Sequence, residues 1–331
     1  MTAKKSIKSI AVLCSGGDAP GMNAALRAVV RYGIYAKLHV YGVHKGYSGL
    51  LEGNIEELWL RSVANIIQRG GTVIKTDRCK AFHQKAVRAE AVNILRRKKI
   101  DALVVIGGEG SFTGGHLMGK ENDYPVVGVP GTIDNDVYGS EYTIGFDTAV
   151  NTAVEAIDKI RDTASSHDRV FLVEVMGRTS AEIAIRVGVS GGAETIVVPD
   201  EIEGNKGIDS LIKSLQRSAA LGKNSSIVIV AEGEKPGSVY RMAHELKTRA
   251  GIDARVAILG HVQRGGSPSA MDRYMASLMG AEAVKAVLQG KRDLAIGQVN
   301  GRIARIAFKS IIGRHKKPDR ELLRLAEILA S

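Results

Sequence analysis

Cysteine, tryptophan and long apolar runs are scarce in this chain of 331 residues. Its two cysteines, Cys14 and Cys79, are too few for a disulfide framework or a thiolate metal site. No apolar run reaches the roughly 18–20 residues of a membrane span, and the run after the basic N-terminus is shorter than the roughly 7–15 residues of a signal-peptide core. These absences predict a cytoplasmic protein that binds no membrane.

Aromatic residues make up only 5% of the chain, which bears on its excess of positive charge. A formal net charge of +11 suits either a nucleic-acid binder or an enzyme that acts on anionic small molecules. A nucleic-acid binder typically interleaves basic runs with aromatic side chains. We therefore predict anionic small molecules, and no nucleic acid, as partners.

What the chain does contain is a regular alternation of strand-like and helical segments. Continuous runs of Val, Ile and Leu predict strands covered on both faces, at Ser9–Cys14, Ala102–Ile106, Val126–Val129, Arg169–Val175, Glu194–Val198, Ser226–Ala231 and Arg255–Leu259. Helical spacing is found at Ala24–Tyr35, Lys85–Arg97, Ala149–Ser165, Ile208–Ala220, Val239–Ala250 and Met271–Leu288. The pattern predicts an α/β fold of two doubly wound, mainly parallel-sheet lobes, with the active site in the cleft between them.

Two glycine-rich loops follow predicted strands: the first glycine loop, Ser15–Asn23, and the second glycine loop, Gly107–Ser111. Glycines at a strand-to-helix turn let backbone N–H groups approach a phosphate, and the helix N-terminus adds partial positive charge. Glu109, between glycines of the second loop, offers the oxygen ligands that Mg²⁺ takes. Either loop alone could be a tight turn. Two at one sheet edge favour a nucleotide-phosphate site.

A third loop, Pro130–Asp136, follows the predicted strand Val126–Val129 and is termed the acidic loop. It presents the hydroxyl of Thr132 and the carboxyls of Asp134 and Asp136 at the strand end where open α/β sheets bind ligands. Two acids so close repel each other, so the loop needs a cation, a proton to accept, or open water. Either aspartate could take a proton from a hydroxyl nucleophile, and a solvated turn is the alternative.

Single arginines stand beside glycines after later strands, in Met176-Gly177-Arg178 and in His261-Val262-Gln263-Arg264-Gly265-Gly266. Arginine binds phosphate bidentately and stabilises charge on a transferring phosphoryl group. Glu232, which follows the strand Ser226–Ala231, could accept protons from sugar hydroxyls or could cap a helix. With the three earlier loops, these residues predict a kinase of a phosphorylated small molecule.

At these motifs the chain resembles the bacterial ATP-dependent 6-phosphofructokinases, in order and spacing from about Ile7 to Met279. The resemblance implies a glycolytic enzyme that transfers the γ-phosphoryl group of Mg-ATP to the 1-hydroxyl of fructose 6-phosphate, giving fructose 1,6-bisphosphate and ADP. It also implies a homotetramer. The larger ATP-binding lobe is expected at 1–145 plus 262–312, and the smaller sugar-phosphate-binding lobe at 146–261 plus 313–331.

The resemblance also implies a role for each motif residue. Asp134 takes the proton from the 1-hydroxyl with Asp136 in support, while the γ-phosphoryl group is stabilised by Thr132, Arg178 and the N–H of Gly17. Glu109 is the metal ligand, and the other nucleotide contacts are Arg78, Cys79, Gly108, Gly110 and Ser111. The sugar phosphate is held by Thr132, Asp134, Met176, Gly177, Arg178, Glu232, His261 and Arg264, while Arg169 and Arg255 complete the sugar site of a neighbouring subunit.

Two positions bear on the metal and the phosphoryl donor. The family's usual metal aspartate is Glu109 here, which keeps the charge but has a longer side chain. Pyrophosphate-dependent relatives typically carry Asp at the place of Gly110 and Lys at the place of Gly131, where a side chain would fill space needed by the α-phosphate of ATP. Glycine at both positions favours ATP, and a pyrophosphate-dependent phosphofructokinase is the alternative.

The resemblance further implies an allosteric site for ADP or phosphoenolpyruvate, formed by Arg27, Arg31, Arg161, Glu194 and Lys223. Asn54 and Leu221 stand where basic residues are common in the family. Because two phosphate-binding cations are lost, we expect weakened or altered allostery.

More distant functions are a lipid or NAD kinase, which shares a glycine-rich loop of this kind, and a non-catalytic nucleotide-binding regulator. The first class lacks the downstream arginines and histidine. The second would have a degraded acidic loop, whereas Asp134, Asp136 and Arg178 are all present.

Overall fold

The computed structural model of the protein describes residues 7–202, 205–223, 225–234 and 237–330. The chain divides into two compact units. The first contains the residues up to Asp147 together with Arg264–His315, and the second contains Thr148–Gln263 together with the residues from Lys316 onward. The expected division into a larger ATP-binding lobe and a smaller sugar-phosphate-binding lobe stays a prediction.

Strands and helices alternate along the chain, as the apolar pattern predicted. The strands are β1 (Ser9–Ser15), β2 (His39–Val43), β3 (Ile55–Glu57), β4 (Ala102–Gly107), β5 (Val126–Pro130), β6 (Val170–Val175), β7 (Thr195–Val197), β8 (Ser226–Ala231), β9 (Ala254–Ile258), β10 (Leu294–Val299) and β11 (Arg302–Ala307). The helices are α1 (Met22–Tyr35), α2 (Gly46–Leu51), α3 (Lys85–Arg97), α4 (Glu109–Asn122), α5 (Phe146–Ser166), α6 (Glu182–Ser190), α7 (Pro199–Ile202), α8 (Asn205–Ala220), α9 (Ser238–Ala250), α10 (Ala270–Leu288) and α11 (Arg320–Leu329).

The first unit is built on a seven-stranded sheet in the order β11-β10-β5-β4-β1-β2-β3. Its central strands are parallel, and β3 and β11 close its edges as antiparallel strands. From β1 the chain crosses to β2 on one side, and it then returns to β4 on the other side. With right-handed crossovers, this reversal places α1 and α3 on opposite faces of the sheet.

The reversal makes the carboxyl ends of β1 and β4 the switch point of the sheet, where a crevice for ligands opens. β1 ends at Ser15 and β4 ends at Gly107, which are the first residues of the two glycine loops. β5 lies next to β4 and ends at Pro130, the first residue of the acidic loop. The order of the strands therefore gathers all three loops at one edge of the first unit.

The second unit is built on a parallel four-stranded sheet in the order β7-β8-β6-β9. The adjacent strands β8, β6 and β9 end just before Glu232, before Met176 and before the 3₁₀ turn Gly260–Arg264. The loops after these three strands therefore share one edge of this sheet. No helix within residues 7–202, 205–223, 225–234 and 237–330 is long and apolar enough to cross a membrane.

Candidate active site

The first glycine loop is held by the segment Thr76–Cys79. The Gly16 N–H donates to the carbonyl of Asp77 at 3.2 Å, and Thr76 Oγ1 donates to the carbonyl of Gly16 at 2.9 Å. The Arg78 N–H donates to Asp77 Oδ1 at 2.7 Å. The structure therefore brings Arg78 and Cys79, both expected to contact nucleotide, next to the first glycine loop, with the Arg78 side chain exposed.

The second glycine loop opens helix α4 and is tied to the first. Ser111 is buried, and its Oγ donates to the carbonyl of Ser15, the last residue of β1, at 3.0 Å. Gly110 lies in the first turn of α4 and is exposed. A Cβ added at Gly110 would meet nothing within 4 Å. Open space thus lies at a helix N-terminus, where backbone N–H groups favour an anion.

The acidic loop lies against the second glycine loop. A Cβ placed on Gly108 would be 3.7 Å from the Cβ of Thr132. Asp134 is 4% exposed, and its N–H donates to Thr132 Oγ1 at 3.3 Å. Asn135 adopts a left-handed backbone with a φ of 46°, which asparagine tolerates better than most residues. The turn therefore keeps Thr132 and Asp134 next to each other, and both are buried in the first unit.

Arg264 lies beside the first glycine loop. It is 9% exposed, and its Nη1 donates to the carbonyl of Asp18 at 3.1 Å. A Cβ placed on Gly17 would lie 2.7 Å from the same nitrogen. The sequence assigned Arg264 to the sugar phosphate, and the structure places its guanidinium over the residue expected to bind the γ-phosphoryl group.

Glu109 is the acid expected to hold a metal ion. Its Oε1 accepts the Gly313 N–H at 2.8 Å, which orients the carboxylate at the first turn of α4. Within the described ranges no cluster of three or more His, Cys, Asp or Glu side chains could hold a metal. Mg²⁺ commonly binds through one or two carboxylates together with substrate phosphates and water. A single acid next to open space therefore fits an ion that arrives with a nucleotide.

The second unit brings Met176, Gly177, Arg178 and Glu232 together. The Arg178 N–H donates to Glu232 Oε2 at 3.2 Å. Arg178 has a φ of 53°, a left-handed conformation that an arginine adopts only where its surroundings impose it. The Met176 N–H donates to Oε1 of the fully buried Gln263 at 2.9 Å, so the loop after β9 supports the loop after β6.

Glu174, one residue before the end of β6, is a buried carboxylate under these loops. Its oxygens accept the Gly237 N–H at 3.1 and 3.2 Å and the Val239 N–H at 3.5 Å. Burial raises the pKa of Glu174 above its ordinary value, the two N–H groups lower it in part, and the charge of Glu232 raises it further. Glu174 thus ties the start of α9 to β6.

Arg169 and Arg255 lie near the amino ends of β6 and β9, away from the carboxyl ends where Met176 and His261 follow. Arg169 precedes β6, and Arg255 is the second residue of β9, opposite Phe171 in the register of the two strands. The length of β6 separates Arg169 from Met176, which is about 20 Å at the rise of a strand. A single chain therefore does not bring these two arginines to the loop Met176–Arg178, whereas the exposed His261 follows β9 at the same edge as that loop.

The residues expected to form an allosteric site fall into two groups. Arg27 and Arg31 lie on α1 of the first unit, and burial, followed by the charge of Arg31, lowers the pKa of Arg27. In the second unit Arg161 Nη1 lies 3.6 Å from Glu194 Oε1, and Lys223 Nζ donates to the carbonyl of Ala330. The second unit therefore brings Arg161 and Glu194 together, while Arg27 and Arg31 share one helix of the first unit.

One supporting residue of the first unit was missed by the sequence analysis, although it lies in a quoted motif. Asn23 is fully buried; its Nδ2 donates to the carbonyls of Arg69 and Gly70 at 3.0 and 3.1 Å, and its Oδ1 accepts the Val73 N–H at 2.8 Å. These hydrogen bonds hold the segment 69–73, which leads to Arg78. Its position inside the first glycine loop was the one available signal.

Comparison with known proteins shows which family the chain belongs to. The phosphofructokinase family model matches residues 9–287. The chain belongs to the phosphofructokinase family. ATP-dependent 6-phosphofructokinase 1 of Thermus thermophilus is 50% identical over 324 residues, which cover 98% of this chain and 100% of that protein. The ATP-dependent 6-phosphofructokinase of Clostridioides difficile is 48% identical, with the same coverage.

Solved phosphofructokinase structures share the fold. Phosphofructokinase of Saccharomyces cerevisiae superposes with a TM-score of 0.85 at 37% identity, covering 97% of this chain and 46% of that one, so this chain spans less than half of the yeast chain. The pyrophosphate-dependent phosphofructokinase of Marinobacter aquaeolei gives a TM-score of 0.81 at 22% identity, covering 97% and 91%. The second likeness concerns the fold alone, which confirms the predicted α/β class.

Proposed function

We propose that the protein is an ATP-dependent 6-phosphofructokinase, which transfers the γ-phosphoryl group of Mg-ATP to the 1-hydroxyl of fructose 6-phosphate. Its curated relatives at about half identity carry that name. The observation that carries the proposal is the joining of two glycine loops and the acidic loop in one unit, with Gly110 facing open space. That arrangement offers N–H groups to phosphates next to a buried carboxylate.

Asp134 is the general base of this proposal. Its carboxylate takes the proton of the 1-hydroxyl as the sugar oxygen bonds to the γ-phosphorus, and the bond to the β,γ-bridging oxygen breaks to release ADP. An aspartate is a weak base, but phosphoryl transfer depends mainly on positioning and charge stabilisation. The bond from its own N–H to Thr132 Oγ1 fixes Asp134 next to the hydroxyl expected to contact the γ-phosphoryl group.

Several groups of the protein stabilise the negative charge on the phosphoryl group during its transfer. The Gly17 N–H and the N-terminus of α4 supply partial positive charge, and Thr132 contacts the group itself, while the contact expected of Arg178 stays a prediction. We assign Arg264 to the same task in addition to its expected sugar contact, because its guanidinium lies over Gly17. Mg²⁺, when bound, neutralises phosphate charge, and Glu109 is the residue that would hold it.

The two glycines that favour ATP differ in their surroundings. Gly110 faces open space, so a side chain there would enter the room for nucleotide phosphates. A Cβ on Gly131 would instead lie 3.0 Å from Ile106 Cγ2 and 3.2 Å from Met22 Cε, inside the first unit. Gly110 therefore supports ATP through the space it leaves, whereas a side chain at Gly131 would first have to displace Ile106 and Met22 slightly.

Arg169 and Arg255 fit a site that is completed by a neighbouring subunit. They lie at the sheet edge opposite Met176, so their positive charge serves a different surface from the one next to Met176–Arg178. On this basis we keep the homotetramer as part of the proposal, while the cytoplasmic location stays a prediction. Sedimentation velocity of the wild type tests the tetramer.

Product analysis tests the proposed acceptor. Wild-type protein incubated with fructose 6-phosphate and Mg-ATP is expected to give a second phosphate resonance, assigned to C1, in phosphorus NMR, together with ADP. A phosphate at any other carbon, or ATP hydrolysis without sugar phosphorylation, would contradict the assigned reaction. Glucose 6-phosphate, which lacks the free 1-hydroxymethyl group, is the matched control acceptor.

We expect effectors to change the activity only weakly, because cations of the second unit already bind groups of the chain itself. Arg161 Nη2 already donates to the carbonyls of Gly191 and Gly192 at 2.6 and 2.7 Å, and Lys223 binds a carbonyl of the chain itself. We expect ADP or phosphoenolpyruvate to shift half-saturation by fructose 6-phosphate by less than about 5-fold, the lower end of ordinary allosteric coupling. Saturation curves with and without each effector measure this.

A variant with a basic residue at position 221, where such residues are common in the family, is the matched comparison for the effector measurement. Leu221 is 63% exposed, so Leu221→Arg adds a positive charge with little effect on packing. The variant is expected to respond more strongly to ADP than the wild type. A wild-type shift of tenfold or more would show that the remaining cations suffice for effector control.

A further inference from the structure

The segment Tyr142–Gly145, termed the bracing segment, holds the backbone of the acidic loop. The Ile144 N–H donates to the carbonyl of Pro130 at 2.8 Å, and Gly131 and Ile144 form a parallel β-bridge. Thr143 is fully buried, and its Oγ1 donates to the carbonyl of Thr132 at 2.7 Å. Carbonyls within the acidic loop are therefore fixed from this segment rather than from the loop itself.

The same segment contacts the first glycine loop. A Cβ added to Gly21 would lie 2.6 Å from Ile144 Cγ2, and one added to Gly145 would lie 2.7 Å from the Cβ of Ala19. Gly21 and Gly145 have φ values of 101° and 103°, so both positions require glycine for conformation as well as for space. The bracing segment lies in close contact with both loops, without room for a methyl group at either glycine.

Asp272, a fully buried carboxylate in the first turn of α10, anchors this segment. Its Oδ1 accepts both the Tyr142 hydroxyl and the Gly145 N–H at 2.6 Å. Hydrogen bonds to an ionised carboxylate are shorter and stronger than neutral ones, and removing one partner of a buried group is costly. Burial, and then the charge of Asp272, raise the pKa of Tyr142, so its hydroxyl stays protonated and remains a donor.

We propose that Asp272 is a positioning residue which, through Tyr142 and Gly145, fixes the spacing between the first glycine loop and the acidic loop. The inference rests on the proposed function, because that spacing sets the distance from the γ-phosphoryl group at Gly17 to the hydroxyl at Asp134. Asp272 contacts neither reactant and acts only through the bracing segment. In a transfer governed by positioning, a misplacement of about 1 Å can cost about 100-fold in rate.

Tyr142→Phe is the sharpest test, because it removes one hydrogen bond and leaves the ring in place. Tyr124→Phe is the matched control: Tyr124 is 4% exposed, and its hydroxyl donates to the carbonyl of Ile100 at 2.7 Å, away from the three loops. We expect Tyr142→Phe to lower kcat by about 10-fold or more, with KM for each substrate within about twofold of wild type. Tyr124→Phe should lower the melting temperature by a similar amount and leave kcat unchanged.

Asp272→Asn and Asp272→Ala give an independent comparison. The amide oxygen of Asn can still accept both donors that now meet Oδ1, so Asp272→Asn should retain far more of kcat than Asp272→Ala. Equal losses in kcat from the two tyrosine variants would show an effect of stability alone and overturn the proposal. A wild-type kcat in Tyr142→Phe would overturn it as well, even if Asp272→Ala does not fold.

Amide hydrogen exchange separates this inference from the proposed function. It is read on the apo protein and needs no substrate. We expect faster exchange in the acidic loop and the bracing segment of Tyr142→Phe than in Tyr124→Phe or the wild type. If the wild type transfers no phosphoryl group but exchange changes as stated, the proposed function is wrong and the positioning role of Asp272 is supported. Unchanged exchange in the acidic loop and the bracing segment would overturn the positioning role of Asp272, whatever the activity of the variants.

Discussion

Asp134→Asn is expected to lower kcat by about 10²–10⁴-fold, the usual contribution of a general base. Asn has the same shape as Asp but cannot accept the proton of the 1-hydroxyl. Because Asp134 is 4% exposed in a hydrogen-bonded loop, the isosteric change keeps the same space filled. KM for ATP should change little, since the phosphates bind at the glycine loops. Steady-state kinetics with both substrates varied separate these two effects.

The control for this prediction is Asp123→Asn. Asp123 is an exposed acid with a φ of 48° that pairs with Arg292 at 2.6 Å, and exposed pairs contribute little to stability. Asn tolerates the same backbone conformation, so kcat and stability should match the wild type. If Asp134→Asn keeps near-normal turnover while folded, Asp134 is not the base.

Gly110→Asp is expected to abolish most ATP-dependent turnover without loss of stability. A Cβ at this position meets no neighbour within 4 Å, and an acid in the first turn of α4 is favourable for the helix. The same acid would stand next to the phosphates of ATP, where like charges at close range cost several kcal/mol. Because each 1.4 kcal/mol is about tenfold, kcat/KM for ATP should fall by about 100-fold or more.

Gly110→Asn separates charge from bulk, since it has the shape of Asp without the charge. We expect it to lie between the wild type and Gly110→Asp in kcat/KM for ATP, with all three melting at similar temperatures. Calorimetry gives the melting temperatures and coupled assays give the rates. Full ATP activity in Gly110→Asp would show that the open space at Gly110 is not used by the nucleotide.

The elements that the sequence predicted best are those fixed by burial on both faces. β1, β4 and β8 are buried along their whole length and consist mainly of apolar residues, and the predicted bounds of β8 agree with the structure. Helix α3 also begins and ends where its apolar spacing indicated. In such segments the local pattern and the tertiary environment favour the same structure.

Other elements were missed because their local signal is weak. Helix α4 contains four glycines, and glycine costs about 1 kcal/mol in a helix relative to alanine, so only tertiary contacts explain it. The edge strands β3 and β11 are partly exposed and lack continuous apolar runs. The short strand β2 includes a glycine at Gly42, which also weakens a strand pattern.

The candidate site divides in the same way. Residues that act directly lie in contiguous motifs, so Gly17, Glu109 and Asp134 could be found from the sequence, although their roles remain proposals. The supporting residues Asp272 and Tyr142 stand 130 positions apart and are joined only by folding. Nothing in the local sequence distinguishes Asp272 from an ordinary acid in the first turn of a helix.

The proposed ATP dependence is tested most directly by comparing phosphoryl donors on the wild-type protein. Initial rates with fructose 6-phosphate and Mg²⁺ are measured with ATP and, separately, with pyrophosphate, by following fructose 1,6-bisphosphate in a coupled assay. We expect saturable turnover with ATP and no turnover above background with pyrophosphate. Turnover with pyrophosphate and none with ATP would contradict it.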